Sequence, residues 1–277
     1  MNNTLDLFKD NRNPIFFIKY FSKSPPRELP EEISFMFTMD VEIDREKNLN
    51  SIPNQIDSTL DFIDDFGKCT FFVDPVVVEN VELPQMTKHE IGCHSYKHSV
   101  VGDNWWVKRE DKKFEARFAI EKGTNLIKDY FNVKPVSFRA PKFSISPKIF
   151  KILEENNYSI DSSFHPHSSE LFPRKISSIL EIPISRIPKP EVVFRKFIPQ
   201  LRFQSLMMSV LKDVGVKEFL KISEEILHYW GGKENPCLVF LAHNWEINAE
   251  SINLLRNYFK ELEKIVELKF IRMRDYL

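Results

Sequence analysis

Two histidines four residues apart, His94 and His98, are the side chains in this sequence best suited to bind a metal ion. They lie in the stretch HEIGCHSYKHSV, residues 89–100, which holds three of the seven histidines of the chain. Whether the stretch forms a helical turn or a tight loop after a strand, both imidazoles can converge on one ion. Spacing alone leaves a pair of solvated or capping histidines equally open. His89, between Lys88 and Glu90, is interpreted as a surface residue.

A third ligand and a neighbouring base are available in the stretch FTMDVEID, which contains Asp40 and Glu42. In an extended strand, residues two apart point to the same side, so both carboxylates would share one face while Val41 enters the packing. Two histidines and one carboxylate, with a position left open for water, are a common catalytic site for a divalent cation. The alternative is a polar strand end whose acids are solvated.

Seven stretches rich in β-branched and aromatic residues predict the strands that would carry these side chains. Several are almost continuously apolar, as is typical of parallel strands covered on both faces. The predicted strands span residues 33–40, 69–74, 90–95, 136–140, 158–163, 180–185 and 237–245.

Helical patterns alternate with these strands, and this alternation indicates an α/β protein with a parallel barrel or a doubly wound sheet. The predicted helices span residues 56–66, 112–131, 146–157, 216–230 and 251–268. Ser146 followed by Pro147 is typical of a helix start. We expect a single domain over residues 1–277, in which the first ~30 residues are an extension and residues 186–215 an irregular excursion.

The residues that could do chemistry share one position in this scheme. Each falls at or just beyond the carboxyl end of a predicted strand, the rim where parallel α/β enzymes build their sites. They are Asp40, Glu42, His94, His98, Arg139, Asp161 and His243.

Composition limits the partners and the compartment. With 39 basic and 40 acidic residues the net charge is -1, so no global field recruits nucleic acid or a membrane surface. Three scattered cysteines in apolar runs fit buried thiols in a reducing compartment. The apolar stretch at residues 13–21 is short and carries Lys19, so it fits neither a signal peptide nor a membrane span. We therefore expect a cytoplasmic protein without a transmembrane segment.

Five stretches, in this order along the chain, resemble the five motifs of the polysaccharide deacetylases, also called carbohydrate esterase family 4. They are FTMDVE, HEIGCHSYKH, FRAPKFSIS, YSIDSSF and LVFLAHNWE, and they extend from about residue 33 to residue 246. The H-S-x-x-H and R-A-P-x-F elements are the specific ones. Many members have two adjacent aspartates in the first motif, whereas here Val41 separates Asp40 from Glu42, as in a subgroup with an acid-x-acid pattern.

The resemblance implies a distorted (β/α) barrel of about seven parallel strands that removes an acyl group from an N-acylated sugar with a divalent metal ion. Zinc is the expected ion, although cobalt, nickel and manganese tolerate the same ligand set. By position, Asp40 would be the catalytic base, His243 the general acid and Arg139 the residue that orients the base. The metal ligands would be Glu42, His94 and His98.

This set of residues has a consistent chemistry for amide hydrolysis. A metal ion would lower the pKa of water from ~16 towards ~7, so that Asp40 can complete its deprotonation at neutral pH. The backbone N-H near Lys142 is the candidate donor to the developing oxyanion, and His243 would protonate the departing amine. Considered singly, Arg139 could instead form a salt bridge at the rim, and His243 could be a buried structural histidine.

Substrate contacts are expected from aromatic side chains, which can stack on a sugar ring. The predicted substrate-binding residues are Phe143, Lys142, Trp245 and Asp161. Trp105 and Trp106 could also stack, although core packing or loop anchoring fits an adjacent pair better. Ser95 and Tyr96 are candidates to orient the histidines, Asp161 and Ser162 to support the pocket wall, and Glu246 to orient a neighbour.

The residues leave other functions open. The expected substrate is an N-acetylated saccharide, with a small cyclic amide or ureide as the alternative on the same scaffold. An iron(II) oxygenase also uses two histidines and a carboxylate, but its all-β fold disagrees with the alternating pattern. A non-catalytic saccharide-binding protein is the third hypothesis, although Asp40 and His243 are both present. The apolar stretch at residues 201–211 fits either an oligomer interface or a lid.

Overall fold

The computed structural model describes residues 28–43, 48–86, 88–102, 108–164, 171–187, 191–195, 198–202 and 204–276. The strands of this part of the chain are β1 (Glu32–Val41), β2 (Cys69–Val73), β3 (Glu90–Cys93), β4 (Ser137–Phe138), β5 (Ile160–Asp161), β6 (Arg174–Ile176), β7 (Ile179–Glu181), β8 (Glu191–Arg195), β9 (Ile198–Arg202), β10 (Cys237–His243) and β11 (Glu267–Phe270). The α-helices are α1 (Ile52–Ile63), α2 (Pro75–Asn80), α3 (Ala116–Phe131), α4 (Pro147–Glu155), α5 (Met208–Trp230) and α6 (Ala249–Leu262).

A curled, mostly parallel sheet forms the centre of the molecule. Its strand order is β10-β1-β2-β3-β4-β5-β7-β6, and the first seven strands in that order are parallel to their neighbours. Strand β6 adds antiparallel to β7, and β11 pairs with the first half of β1. All seven predicted strands are therefore confirmed, and so is their parallel arrangement.

The sheet closes into a distorted barrel through the residues that follow β7. The backbone N-H of Ser185 donates to the carbonyl of Val239 at 3.1 Å, and the N-H of Val239 donates to the Ser185 hydroxyl at 2.8 Å. The backbone N-H of Leu206 donates to the Ser185 carbonyl at 2.7 Å, and the Leu206 carbonyl accepts from the Leu241 N-H at 2.9 Å. These bonds satisfy the outer edge of β10, so the barrel predicted from the resemblance is confirmed.

The five predicted helices are confirmed, with shifted ends. Ser146 takes the N-cap position of α4 and Pro147 its first turn, but the Ser146 side chain makes no capping hydrogen bond. Helix α5 begins earlier than predicted and is interrupted at Gly215, whose φ of +76° suits glycine. The sequence prediction missed α2, which Asp74 caps by accepting from the Val76 N-H, and extended the last helix into the start of β11.

Residues 186–215 contain more regular structure than the irregular excursion that the sequence predicts. Strands β8 and β9 form an antiparallel hairpin, and the first turns of α5 follow. The predicted N-terminal extension lies outside the described residues, except for its last few positions. Among the described helices, none has the length and apolar character required to cross a membrane.

The core is apolar and rich in aromatic side chains. Phe259 of α6 lies at the centre of one cluster, with ring centroids 5.0–5.8 Å from those of Phe35, Phe62, Phe66 and Phe270. These contacts join two helices to β1 and β11. The three cysteines are buried and form no disulfide, as the sequence predicts.

Replacing Phe259 with alanine should lower the free energy of unfolding by about 3–5 kcal/mol, because the cavity removes its contacts with the surrounding rings. Phe118→Ala deletes the same atoms from a ring that is 46% exposed on α3, and should change the free energy by about 0.5 kcal/mol or less. Urea denaturation of both variants measures the difference. Equal losses would contradict the assignment of this cluster to the core.

Candidate metal centre

Glu42, His94 and His98 meet beyond the carboxyl ends of β1 and β3. The Oε2 atom of Glu42 lies 2.6 Å from Nε2 of His98 and 3.3 Å from Nε2 of His94. One ligand atom from each residue lies within 4.8 Å of the other two. Glu42 and His94 are buried, whereas the His98 side chain is 30% exposed, so solvent reaches the group from the side of His98.

A tight loop brings the two histidines together. His94 directly follows β3, and the backbone of Ser95, Lys97 and His98 has φ values of +59°, +53° and +50°. These left-handed residues reverse the chain, so His98 folds back towards His94. The Ser95 hydroxyl donates to the carbonyl of Ser99 at 2.9 Å and closes the loop. The loop form of the H-x-x-x-H pattern is therefore the one the chain adopts.

Neither residue predicted to orient the histidines bonds them directly. The Ser95 hydroxyl contacts the loop backbone, and the Tyr96 hydroxyl accepts from Nζ of Lys122 at 3.0 Å. The residue that supports the third ligand was missed by the sequence prediction. Asn244 accepts from the Glu42 backbone N-H at 2.9 Å and donates to Oε1 of Gln55 at 2.7 Å.

The three residues fit a divalent cation. Within the described residues, Oε2 of Glu42 is buried and has no hydrogen-bond partner, although it lies close to two imidazole nitrogens. Burial raises the pKa of Glu42, but its interactions with His98 and His94 outweigh burial and hold the pKa well below its usual range. A buried, ionised oxygen beside two imidazoles is the donor set that zinc, cobalt, nickel and manganese accept.

Asp40 lies next to this group and is held by a fully buried arginine. The Nη1 atom of Arg139 donates to Oδ1 of Asp40 at 2.8 Å and to the hydroxyl of Thr38 at 3.0 Å. The guanidinium also lies over the Phe72 ring, 4.2 Å from its centroid. Thr38 in turn donates to the carbonyl of Phe240 at 2.7 Å. The carboxylate is thus fixed in one orientation by a charged hydrogen bond.

The D-S-S stretch after β5 holds the R-A-P stretch after β4. Ser162 accepts from Nη2 of Arg139 with its hydroxyl at 2.9 Å and from Nε with its carbonyl at 3.2 Å. The hydroxyl of Ser163 accepts from the Ala140 backbone N-H at 2.8 Å and donates to Oδ1 of Asp161 at 2.6 Å. Both serines therefore position the arginine that binds Asp40.

Asp161 and Glu181 form a pair of fully buried carboxyl groups on neighbouring strands. Burial raises the pKa of both, and the negative charge of Asp161 raises the pKa of Glu181 further. The raised pKa favours the protonated form of Glu181, and Asp161 is bonded to Ser163. The sequence predicts that Asp161 contacts substrate, but a fully buried carboxyl group offers no surface for that contact. Its observed role is to support the turn that carries Arg139.

His243 ends β10 and faces the metal-binding group. Its Nε2 lies 3.9 Å from Oε1 of Glu42, and its Nδ1 lies 3.0 Å from Oε2 of Glu246. Burial lowers the pKa of His243, but the hydrogen bond to Glu246 and the charges of Asp40 and Glu42 outweigh it and raise the pKa to about 8. The positive charge of a bound cation would oppose that increase. Six predicted residues, Asp40, Glu42, His94, His98, Arg139 and His243, are thus brought to one rim.

The remaining predicted substrate-binding residues lie around this rim. Lys142 and Phe143 form part of a 3-10 turn with left-handed backbone, and Nζ of Lys142 pairs with Oδ1 of Asp111 at 2.6 Å. Phe143 is half-buried. The Trp245 ring stacks on the His243 imidazole with centroids 4.6 Å apart, so one of its faces is already covered. Trp105 and Trp106 lie outside the described residues.

His89 is not at the surface, contrary to the sequence prediction. Its side chain is buried at the opposite end of the barrel, where Nδ1 lies 3.3 Å from both the backbone N and Sγ of Cys69. Its Nε2 lies 3.4 Å from Asp64. Burial lowers the pKa of His89. The charged neighbours in the sequence suggested exposure. The imidazole is buried instead, because Asp64 on a distant segment provides it with a polar partner.

Comparisons with known proteins agree on the fold, although they point to two families. The family model for glycosyl hydrolase family 57 matches residues 28–163, just under half of the chain. No curated protein gives a significant sequence match. That glycosyl hydrolase family shares its fold with the carbohydrate esterases of family 4, so the two comparisons agree on architecture.

Solved structures resemble this one over nearly the whole chain. A candidate polysaccharide deacetylase from Mycobacterium smegmatis has a TM-score of 0.59 at 16% identity, covering 91% of this chain and 92% of that chain. PuuE allantoinase has a TM-score of 0.60 at 13% identity, covering 95% and 96%. A CE4 family pseudoenzyme from Bacillus anthracis has a TM-score of 0.51 at 16% identity, covering 92% and 69%. The chain therefore has the fold of the polysaccharide deacetylases, as its motifs indicated.

Removal of one candidate ligand should weaken metal binding. We expect His98→Ala to bind added zinc at least 10–100-fold more weakly than the unmodified chain, since even loss of a group that only supports a ligand costs about that much. His228→Ala, a half-buried histidine in the last turn of α5, is the matched control and should bind zinc normally. Titration with zinc, checked by elemental analysis, measures both. Unchanged binding in His98→Ala would contradict the assigned site.

Glu181→Gln should become more stable relative to the unmodified protein as the pH rises. The unfolded chain releases the Glu181 proton above about pH 4.3, whereas the folded chain retains it because the pKa is raised. Unfolding thus releases a proton, and the free energy of unfolding falls with pH until Glu181 ionises in the folded state. Glutamine has no such proton. Urea denaturation at about pH 5 and about pH 8 measures the difference in free energy of unfolding between Glu181→Gln and the unmodified protein. The control is Glu234→Gln, at an exposed position. A difference that does not change with pH would refute the raised pKa of Glu181.

Proposed function

We propose that this protein is a metal-dependent hydrolase that removes the acetyl group from an N-acetylated amino sugar. The proposal rests mainly on the way Asp40, bound by buried Arg139, and His243 flank the group of Glu42, His94 and His98. These residues would supply a base, a metal-ligand set and an acid at the rim of a barrel that resembles known deacetylases in fold.

Glu42, His94 and His98 would hold the cation, for which zinc is our first choice. When bound, such a cation supplies Lewis acidity towards an amide carbonyl and acidifies water. Asp40 then accepts the proton of the attacking water. Arg139 donates to Asp40 and prevents the carboxylate from turning away. Because Ser162 and Thr38 bind Arg139 in turn, the position of the base is defined before substrate arrives.

His243 completes the reaction by acting on the leaving group. An amine leaves only when it is protonated, and Nε2 of His243 faces the group where the amide would lie. The raised pKa of His243 favours the protonated imidazole that this role requires. The turn of Lys142 and Phe143 provides a backbone N-H and an aromatic side chain beside the same rim, for the oxyanion and for a sugar face.

The substrate class is inferred from the fold and the rim rather than from a bound sugar. Deacetylases occur among the structural neighbours, and Phe143 and Trp245 give the rim aromatic character. The three unpaired cysteines are compatible with a reducing compartment, which supports an intracellular saccharide as substrate.

Two alternatives have specific support. The similarity to an allantoinase favours hydrolysis of a ureide or cyclic amide by the same residues. The glycosyl hydrolase match favours cleavage of a glycosidic bond, which needs two carboxyl groups on either side of that bond. Here Arg139 engages Asp40 and two histidines engage Glu42, an arrangement suited to metal chemistry. A screen that measures acetate, the opening of a cyclic ureide ring and new reducing ends separates these reactions, and release of reducing ends without acetate would overturn the proposal.

Asp40→Asn should retain the metal and lose about 10²–10⁴-fold in kcat, because asparagine keeps the shape of the side chain but cannot accept the proton. Asp61→Asn makes the same change at an exposed position of α1 and should behave like the unmodified enzyme. Acetate release measured beside zinc content distinguishes lost chemistry from lost metal. Normal turnover by Asp40→Asn would show that the base lies elsewhere.

A further inference from the structure

The turn after β10 carries an acid beside the candidate proton donor. His243 is followed by the 3-10 turn Asn244–Glu246, which returns the Glu246 side chain to the histidine three residues earlier. Oε2 of Glu246 accepts from the His243 backbone N-H at 2.8 Å and lies 3.0 Å from Nδ1 of the same residue. One carboxylate oxygen therefore contacts both the backbone and the ring of His243.

These contacts determine which ring nitrogen holds a proton. An ionised carboxylate only accepts hydrogen bonds, so Nδ1 must carry a hydrogen when it bonds Glu246. Nε2 is then the atom that exchanges a proton with the site, and it is the atom that faces Glu42 at 3.9 Å. Trp245 stacks on the imidazole at an interplanar angle of 16° and limits rotation of the ring.

The other acids near the rim already have partners. Asp40 is bound by Arg139, Glu42 lies against His94 and His98, and the Asp161 carboxyl is bonded to Ser163. Among the described residues, Glu246 is the acid within hydrogen-bond distance of Nδ1. The partner of His243 thus comes from its own turn and not from a distant strand.

We propose that Glu246 is the positioning residue of His243, fixing its tautomer and ring orientation for proton transfer from Nε2. The catalytic consequence rests on the proposed function. As the C-N bond of the tetrahedral intermediate breaks, its electron pair stays on nitrogen, and that nitrogen takes the proton from Nε2. The acetyl carbon leaves as acetate, with its added oxygen derived from water. The imidazole becomes neutral, and its remaining hydrogen stays on Nδ1, where it is hydrogen-bonded to Glu246.

Kinetics of three variants test the catalytic part. Glu246→Ala should lower kcat about 10–100-fold while KM and zinc content stay unchanged, because only the orientation of His243 is lost. Glu246→Gln can still accept through its amide oxygen and should recover part of that loss. Glu250→Ala, an exposed acid in the first turn of α6, is the matched control and should match the unmodified enzyme. A Glu246→Ala variant as active as the control overturns the proposal.

Nitrogen-15 NMR of the full chain tests the structural part without any substrate. His243 signals are assigned by comparison with His243→Asn and recorded at alkaline pH, where the imidazole is neutral. We expect the Nδ1-H tautomer in the unmodified protein and in Glu246→Gln, and a mixture of tautomers in Glu246→Ala. An Nε2-H tautomer in the unmodified protein would overturn the inference. If no amide is hydrolysed at all, the proposed function fails, but the tautomer still decides the role of Glu246.

Discussion

The ion pair between Arg139 and Asp40 is the constraint on which the rest of this site depends. Arg139 is fully buried, and a buried charge is tolerated only when its donors are bonded and its charge is balanced. Its partners come from β1 and from the turn after β5, while Arg139 itself follows β4. The arginine therefore fixes the carboxyl ends of three strands relative to one another and, with them, the candidate base.

The parallel strands β1 and β10 position the other functional groups relative to this pair. Asp40 and Glu42 lie two residues apart at the end of β1, and Asp40 is in register with His243 of β10. Asn244 then ties the Glu42 backbone to the turn that carries Glu246. Three carboxylates and three imidazoles are concentrated at one rim, and their mutual attraction lowers the pKa of Glu42 and raises that of His243. The same attraction therefore favours an ionised Glu42 and a protonated His243.

The sequence prediction succeeded for elements with a strong local pattern. Apolar runs found all seven parallel strands, because strands covered on both faces must be apolar throughout. It failed where the local pattern is weak or a distant partner decides. The short helix α2 and strand β11 were missed, and residues 186–215 proved to hold a hairpin. His89 was placed at the surface because its sequence neighbours are charged, and Asp161 at the substrate because it follows a strand.

By itself, the sequence determined the alternation of strands and helices and the chemical types of the six rim residues, since both depend on residue identity and local spacing. The tertiary structure decided which of these groups touch. The left-handed turn that joins His94 to His98, the Ser162 contacts of Arg139, and the raised pKa of Glu181 beside Asp161 all depend on packing and burial. Such contacts join residues far apart in the chain, and their energies depend on burial that only the folded barrel creates.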